Sequence, residues 1–162
     1  MKFEPSEIQD VFSYETDTGI LRWKISGIGG SKLGGVAGCV WGDGYRYIRY
    51  KKSLLLAHRV AFVVHYGRWP NQVDHINLNR SDNRLCNIRE ATNAQNSCNK
   101  AVQSNNTSGF KGVTFHKATN KFQAKISLNG KTQSLGYFST AEDASIKYNI
   151  AAKEIHGEYA RA

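Results

Sequence analysis

An aspartate, a histidine and two asparagines stand in one short polar stretch, and their side chains could together hold a divalent cation and activate water. Asp74 and His75 are adjacent, and Asn87 and Asn96 follow after a loop rich in Asn, Asp and Arg. Carboxylate and amide oxygens suit Mg²⁺ and Mn²⁺. A neutral imidazole can take a proton from water near pH 7. These residue types therefore predict metal-assisted hydrolysis.

A strand, a loop and a helix must bring these side chains together. Apolar residues flank the Asp-His pair and predict a short strand at Val73–Asn77. A second apolar position, Ile88, follows the polar loop, and a helix-favouring run comes next. Before the strand, an apolar stripe with helical spacing predicts a helix over Leu54–Tyr66, for which Gly67 is a natural stop.

The segment VDHINLNRSDNRLCNIREATNAQNSCN (residues 73–99) resembles the HNH nuclease family, in the phage and homing branch whose third signature position is Asn instead of His. The resemblance implies a ββα-metal site. It implies His75 as the general base and Asn87 as the residue that holds the loop. Asp74 and Asn96 become the two protein ligands of one Mg²⁺ or Mn²⁺. The alternative is a degenerate site kept for structure or for DNA binding.

The cysteines predict no zinc site. Many HNH proteins carry two CxxC pairs that bind structural zinc, whereas Cys39, Cys86 and Cys98 form no such pair. We expect these to be buried or inert thiols in a reducing compartment.

The composition is strongly basic, with 22 Lys and Arg against 13 Asp and Glu, a net charge of +9. Such an excess favours a polyanionic partner, because lysine and arginine neutralise phosphates and release counterions. The sequence contains neither a basic amphipathic helix nor a long apolar run, so a membrane surface is the weaker interpretation. The segment MKFEPSEIQD is acidic and lacks an apolar signal core. We therefore expect a cytoplasmic protein, in a phage-infected bacterial host.

Several arginines of the first half could bind the DNA backbone. The run YRYIRYKK (residues 45–52) alternates aromatic and basic side chains, and an ordinary solvated hairpin explains it equally well. In the element AHRVAF, either His58 or Arg59 could hold the scissile phosphate, or His58 could be a core residue. The predicted phosphate-binding arginines are Arg46, Arg49, Arg59, Arg80 and Arg84.

Residues 110–162 predict three strands followed by a helix. The strands are Phe110–His116, Lys121–Leu128 and Lys131–Phe138. Ser139 and Glu142 have the spacing of a capping box, which predicts the start of the helix.

This half resembles the APETALA2/ethylene-response-factor DNA-binding domain over nearly its whole length, through Phe110-Lys111-Gly112-Val113, Leu135-Gly136-Tyr137-Phe138 and the TAEDA that follows. In that family the outer face of the three-stranded sheet lies in the major groove. The resemblance implies contacts to duplex DNA from Lys111, Thr114, His116, Lys125, Ser127, Thr132 and Ser134. The framework matches better than these contact residues, so no target sequence is implied. A small α+β packing module is the alternative.

Together these features predict an α+β protein with an HNH nuclease domain at residues 1–98, a polar linker at 99–109 and an APETALA2-like domain at 110–162. The predicted activity is a metal-dependent DNA endonuclease that leaves 5′-phosphate and 3′-hydroxyl ends. The rival hypothesis is a non-catalytic, sequence-specific DNA-binding regulator. An RNA-directed nuclease stays open, as does the choice between a nicking monomer and a homodimer that cuts both strands.

Overall fold

In the computed structural model the chain divides into two compact units, Met1–Thr92 and Asn93–Ala162. The structure describes residues 3–28, 30–102, 105–128 and 130–160. Both units mix helices with antiparallel strands, as an α+β chain should. Their boundary falls before the predicted linker at 99–109, of which residues 103 and 104 lie outside the described residues.

The core of the first unit is formed by two helices and the strands of small sheets. Helix α1 (Pro5–Val11) leads into the hairpin of β1 (Phe12–Glu15) and β2 (Ile20–Trp23), and a three-stranded sheet follows. That sheet contains β3 (Cys39–Val40), β4 (Arg46–Tyr50) and β5 (Ser53–Leu56), and α2 (Ala57–Tyr66) comes directly after it. The buried side chains include Ile8, Phe12, Leu21, Ile48, Tyr50, Val60, Ala61 and Val63.

Helix α2 is shorter than the sequence predicted. It begins at Ala57, because the preceding Ser53–Leu56 pairs with β4 as a hairpin strand. The turn uses Lys51 and Lys52, whose φ angles of 40° and 62° are left-handed. Such turns match the twist of the strands they join, and Gly or Asn usually marks them. Because two lysines occupy this turn, the sequence contains no turn signal here, and the pairing of β4 with β5 was not predicted.

The strands that carry the predicted chemistry pair as expected. Strand β6 (Gln72–His75) runs antiparallel to β7 (Ile88–Ala91), with Asp74 opposite Arg89 and His75 opposite Ile88. The predicted strand continued to Asn77, but β6 ends at His75. The chain turns there, since the Leu78 N–H donates to the His75 carbonyl oxygen at 3.0 Å.

The β1–β2 hairpin braces the loop between β6 and β7. The Tyr14 hydroxyl donates to the Asn83 carbonyl oxygen at 2.7 Å, and the Leu85 N–H donates to the Thr16 carbonyl oxygen at 2.9 Å. Gly19, at a φ of 75°, lies so close that a Cβ there would be 2.6 Å from backbone atoms of Asn83 and Arg84. Only glycine fits this approach without moving the loop.

The second unit packs one helix on one sheet. Helix α3 (Asn93–Asn99) precedes a sheet of order β10-β9-β8, formed by β8 (Val113–His116), β9 (Lys121–Leu128) and β10 (Lys131–Phe138). Helix α4 (Ala141–His156) covers one face. The side chains that α4 buries against Val113, Ala124 and Ile126 of the sheet are Ala141, Ala144, Tyr148, Ala151 and Ala152.

Two sequence expectations for this unit were wrong in detail. Strand β8 begins at Val113, three residues after the predicted start at Phe110. The cap of α4 is Thr140 instead of Ser139, because the Thr140 hydroxyl accepts from the Asp143 N–H at 3.1 Å. Within the described part of the chain, no helix has the length and apolar character needed to cross a membrane.

Gly19→Ala should destabilise the protein far more than Gly27→Ala. Both glycines have left-handed φ angles, 75° and 89°, so each alanine pays a backbone cost of about 1 kcal/mol. Gly27 has open space around it, whereas a Cβ at Gly19 meets backbone. Overpacking there should cost a further 1–3 kcal/mol or so. Urea denaturation of the two variants is the measurement, and equal midpoints would contradict the close packing.

Candidate active site

His75 lies at the end of β6 with its ring buried and oriented. The ring nitrogen Nε2 is 3.0 Å from Oδ1 of Asn83. An amide oxygen accepts hydrogen bonds, so Nε2 carries the proton and the lone pair of the neutral ring belongs to Nδ1. Burial lowers the pKa of His75, more than the Asn83 bond and the nearby carboxylates raise it. The imidazole is therefore a neutral base at pH 7.

Asn83 has a role that the sequence analysis did not assign. It is 2% exposed, and its backbone is held by Tyr14 of the β1–β2 hairpin. The loop is rich in Asn and Asp, which are common turn residues. The spacing of these residues therefore does not indicate which amide orients the His75 ring.

Asn87 ties the two ends of the loop together. Its Oδ1 accepts from the Asn77 N–H at 3.0 Å, and its Nδ2 donates to the Asp82 carbonyl oxygen at 2.7 Å. Its own carbonyl oxygen accepts from the Ile76 N–H at 2.9 Å. These contacts fit the predicted role of a residue that holds the loop.

Asp74 is buried beside His75 and is paired with an arginine. Its Oδ2 accepts from Nε and Nη2 of Arg89 at 3.0 and 2.9 Å. Arg89 is not among the residues predicted from the sequence, although pairing the two strands by count places it opposite Asp74. Asn96, the other predicted ligand, lies on α3 in the second unit, and its part in metal binding stays a prediction.

The donors present suit a hard cation better than zinc. No group of three His, Cys, Asp or Glu side chains within the described residues could hold a metal ion. A cation here would instead use the Asp74 carboxylate, an amide oxygen, and oxygens from water and substrate, which are ligands of Mg²⁺ and Mn²⁺. The three cysteines are free thiols. Of the two alternatives expected for them, buried or inert, burial does not hold for the exposed Cys39 and Cys86, and inertness stays a prediction.

Aromatic rings pack around His75. The ring centroid of His58 is 5.0 Å away at an interplanar angle of 85°, and that of Tyr45 is 6.0 Å away. The guanidinium of Arg80 lies 4.9 Å from the Tyr45 ring centroid. Burial, aided by repulsion from His75 in its protonated form and from Arg59, lowers the pKa of His58 to about 3. His58 is therefore neutral, and its buried Nδ1 has no hydrogen-bond partner in the described structure.

The predicted phosphate-binding arginines differ in what they already contact. Arg59 donates to the Pro70 and Asn71 carbonyl oxygens, and Arg46 donates to that of Gly38. The side chain of Arg84 is paired with Asp82 in its own loop at 2.7 and 2.8 Å. Arg80 donates to the Asp43 carbonyl oxygen, while Arg49 is exposed on β4. Four of the five therefore already make hydrogen bonds within the fold.

In the second unit, most predicted contact residues share the sheet face opposite α4. The alternation along the strands and their register place these there: Thr114, His116, Lys125, Ser127, Thr132 and Ser134. Two of them contact each other, with the Ser127 and Thr132 hydroxyls 2.8 Å apart. Lys111 lies outside this face, because it precedes β8 and its ammonium donates to the Cys98 and Lys100 carbonyl oxygens.

His58→Phe should raise the stability of the protein by about 1 kcal/mol, because it removes a buried nitrogen that lacks a hydrogen bond while keeping a ring. His65→Phe is the control. His65 lies on the same helix but is exposed, so its change should stay within about 0.5 kcal/mol. Thermal and urea denaturation would measure both, and a less stable His58→Phe would show that the nitrogen is satisfied.

Comparison with known proteins gives a consistent result. The family model for HNH endonucleases matches residues 55–98. An uncharacterized HNH endonuclease of Acanthamoeba polyphaga mimivirus is 34% identical over 116 residues, which are 70% of this chain and 59% of that protein. Protein 3.8 of Escherichia phage T7 is 30% identical over 89 residues, 55% of this chain and 73% of its own length. No solved structure matches. The chain therefore contains an HNH endonuclease family domain and is homologous to a viral HNH endonuclease.

Proposed function

We propose that the protein is a metal-dependent DNA endonuclease that hydrolyses phosphodiester bonds to 5′-phosphate and 3′-hydroxyl ends. The observation that carries the proposal is the neutral, buried His75, which is oriented by Asn83 and adjacent to the Asp74 carboxylate. Activation of water at a phosphate requires a base that is unprotonated at pH 7 and a neighbouring oxygen ligand for a metal ion.

In the proposed reaction, Nδ1 of His75 takes a proton from the attacking water. The hydrogen bond to Asn83 keeps the other nitrogen protonated, so the ring cannot present the wrong tautomer. The neighbouring Asp74 and Asp82 carboxylates favour the imidazolium that forms. Asp74 would be a ligand of Mg²⁺ or Mn²⁺, which would supply stabilisation of negative charge on the phosphate and the leaving oxygen.

The second unit is proposed to bind duplex DNA through the outer face of its sheet, in the manner of the APETALA2 domain. The face carries hydroxyls and the exposed Lys125, which can contact phosphates and base edges. The first unit adds two exposed arginines, Arg49 and Arg80, and Arg80 lies near enough to His75 to lower its pKa. A monomer would nick one strand, whereas a dimer could cut both.

The competing proposal is a DNA-binding regulator that does not cut. The observation in its favour is the pairing of Asp74 with Arg89, which already compensates the charge of the predicted ligand. Nicking of supercoiled plasmid with Mg²⁺, and its loss with EDTA, distinguishes the two proposals.

His75→Ala should lower the rate of plasmid nicking by roughly 10²–10⁴, the usual contribution of a general base. DNA affinity should stay near wild type, since the buried ring contributes no positive charge. The matched control is His65→Ala, an exposed histidine of α2, which should cut normally. If His75→Ala nicked within a few-fold of wild type, the role assigned to His75 would be wrong.

Lys125→Ala should weaken DNA binding and reduce the slope of log affinity against log salt by about one, as expected when one phosphate contact is lost. Lys153→Ala provides the control, because Lys153 is an exposed lysine on α4, away from the proposed face. Fluorescence anisotropy with a labelled duplex at several KCl concentrations measures both. An equal loss of DNA affinity in the two variants would contradict the proposal that this sheet face binds DNA.

A further inference from the structure

The predicted metal ligand Asp74 is part of an ion pair that the family assignment does not account for. Arg89 lies directly opposite it across the β6–β7 pair. Nε and Nη2 of Arg89 both donate to the same carboxylate oxygen, Oδ2, at 3.0 and 2.9 Å. The Asp74 side chain is 3% exposed and that of Arg89 is 13% exposed, so water screens the pair weakly.

This pairing affects the binding of a divalent cation. A carboxylate attracts Mg²⁺ by its negative charge, but the pair of Asp74 and Arg89 has no net charge. The Arg89 guanidinium carries a positive charge, so it repels a cation that approaches Asp74. At short range in a poorly solvated site, a unit charge changes ion affinity by tenfold or more, as a rough estimate.

Bound DNA supplies the charge that is missing. A phosphodiester anion beside Asp74 restores the net negative charge that a cation needs. Its oxygens are also preferred ligands of Mg²⁺ and preferred partners of an arginine fork. The anion can therefore attract the cation and share the Arg89 guanidinium at the same time.

We propose that Arg89 makes occupancy of Asp74 by a divalent cation depend on bound DNA, so that the cation and the substrate bind cooperatively. This inference rests on the proposed function, because it takes Asp74 as the ligand and a nucleic-acid phosphate as the substrate. Arg89 acts through Asp74 and is a positioning residue. Binding linkage then requires that Mn²⁺ raise DNA affinity by the same factor by which DNA raises Mn²⁺ affinity.

The test is a titration of the full-length protein with Mn²⁺, in which electron paramagnetic resonance counts the free ion. Without DNA, Arg89→Gln should bind Mn²⁺ about tenfold more tightly than wild type or better. Arg89→Lys keeps the charge and should bind as weakly as wild type. Arg68→Gln is the matched control, because Arg68 pairs with Glu90 on the same strand, is 58% exposed, and should change nothing.

The second half of the test adds duplex DNA in a His75→Ala background, which prevents cutting. DNA should raise Mn²⁺ affinity at least about tenfold when Arg89 is present, and much less in Arg89→Gln. Tight Mn²⁺ binding by the wild-type protein without DNA would overturn the inference, as would equal affinity in wild type and Arg89→Gln. If Arg89→Gln folds poorly, the DNA dependence of wild type and Arg89→Lys decides alone.

The failure of this inference can be told from a failure of the proposed function. Suppose that Asp74→Asn abolishes nicking, and that Mn²⁺ affinity is unchanged by Arg89→Gln and by DNA. The endonuclease proposal is then supported, and the proposed coupling between the cation and DNA is contradicted. If the double variant Asp74→Asn/Arg89→Gln binds Mn²⁺ as tightly as Arg89→Gln, Asp74 is not the ligand and both assignments fall.

Discussion

The hydrogen bond between Nε2 of His75 and Oδ1 of Asn83 is the contact on which the candidate site depends. It selects the tautomer that leaves the lone pair on Nδ1, and a neutral imidazole in the other tautomer could not act as the same base. The bond in turn requires that the loop hold Asn83 in place. The β1–β2 hairpin does this from one side through Tyr14 and Gly19, and Asn87 does it from within the loop.

Burial of polar groups is what makes this site both rigid and chemically capable. His75, Asp74 and Asn83 are each almost fully buried, so each needs a hydrogen-bond or ionic partner. His75 bonds to Asn83, burial lowers the pKa of its ring, and Asp74 is paired with Arg89. His58 is the exception, because its Nδ1 finds no partner in the described structure and its low pKa keeps the ring uncharged. A site built in this way needs little reorganisation when substrate arrives.

The sequence was sufficient where a residue type and a short-range pattern together determine the structure. The strand that carries Asp74 and His75, and the three strands and the helix of the second unit, follow from such patterns, and the structure contains them. It failed where a contact is long-range or a turn lacks its usual residues. Tyr14 reaches Asn83 across 69 positions, and the Lys51-Lys52 turn has left-handed φ angles without Gly or Asn. No local pattern predicts either feature.

Helix α3 belongs to the second compact unit, although the family match extends into it. All its residues except Asn99 fall within the HNH match at 55–98. Lys111 donates to the Cys98 and Lys100 carbonyl oxygens at the end of this helix, and the helix contacts the turn Gly157–Tyr159 near the end of the described chain. The predicted ligand Asn96 therefore lies on an element that the second unit stabilises. A chain cut at residue 98 would retain the motif but lose the packing that keeps α3 folded, because a helix of seven residues is not stable alone.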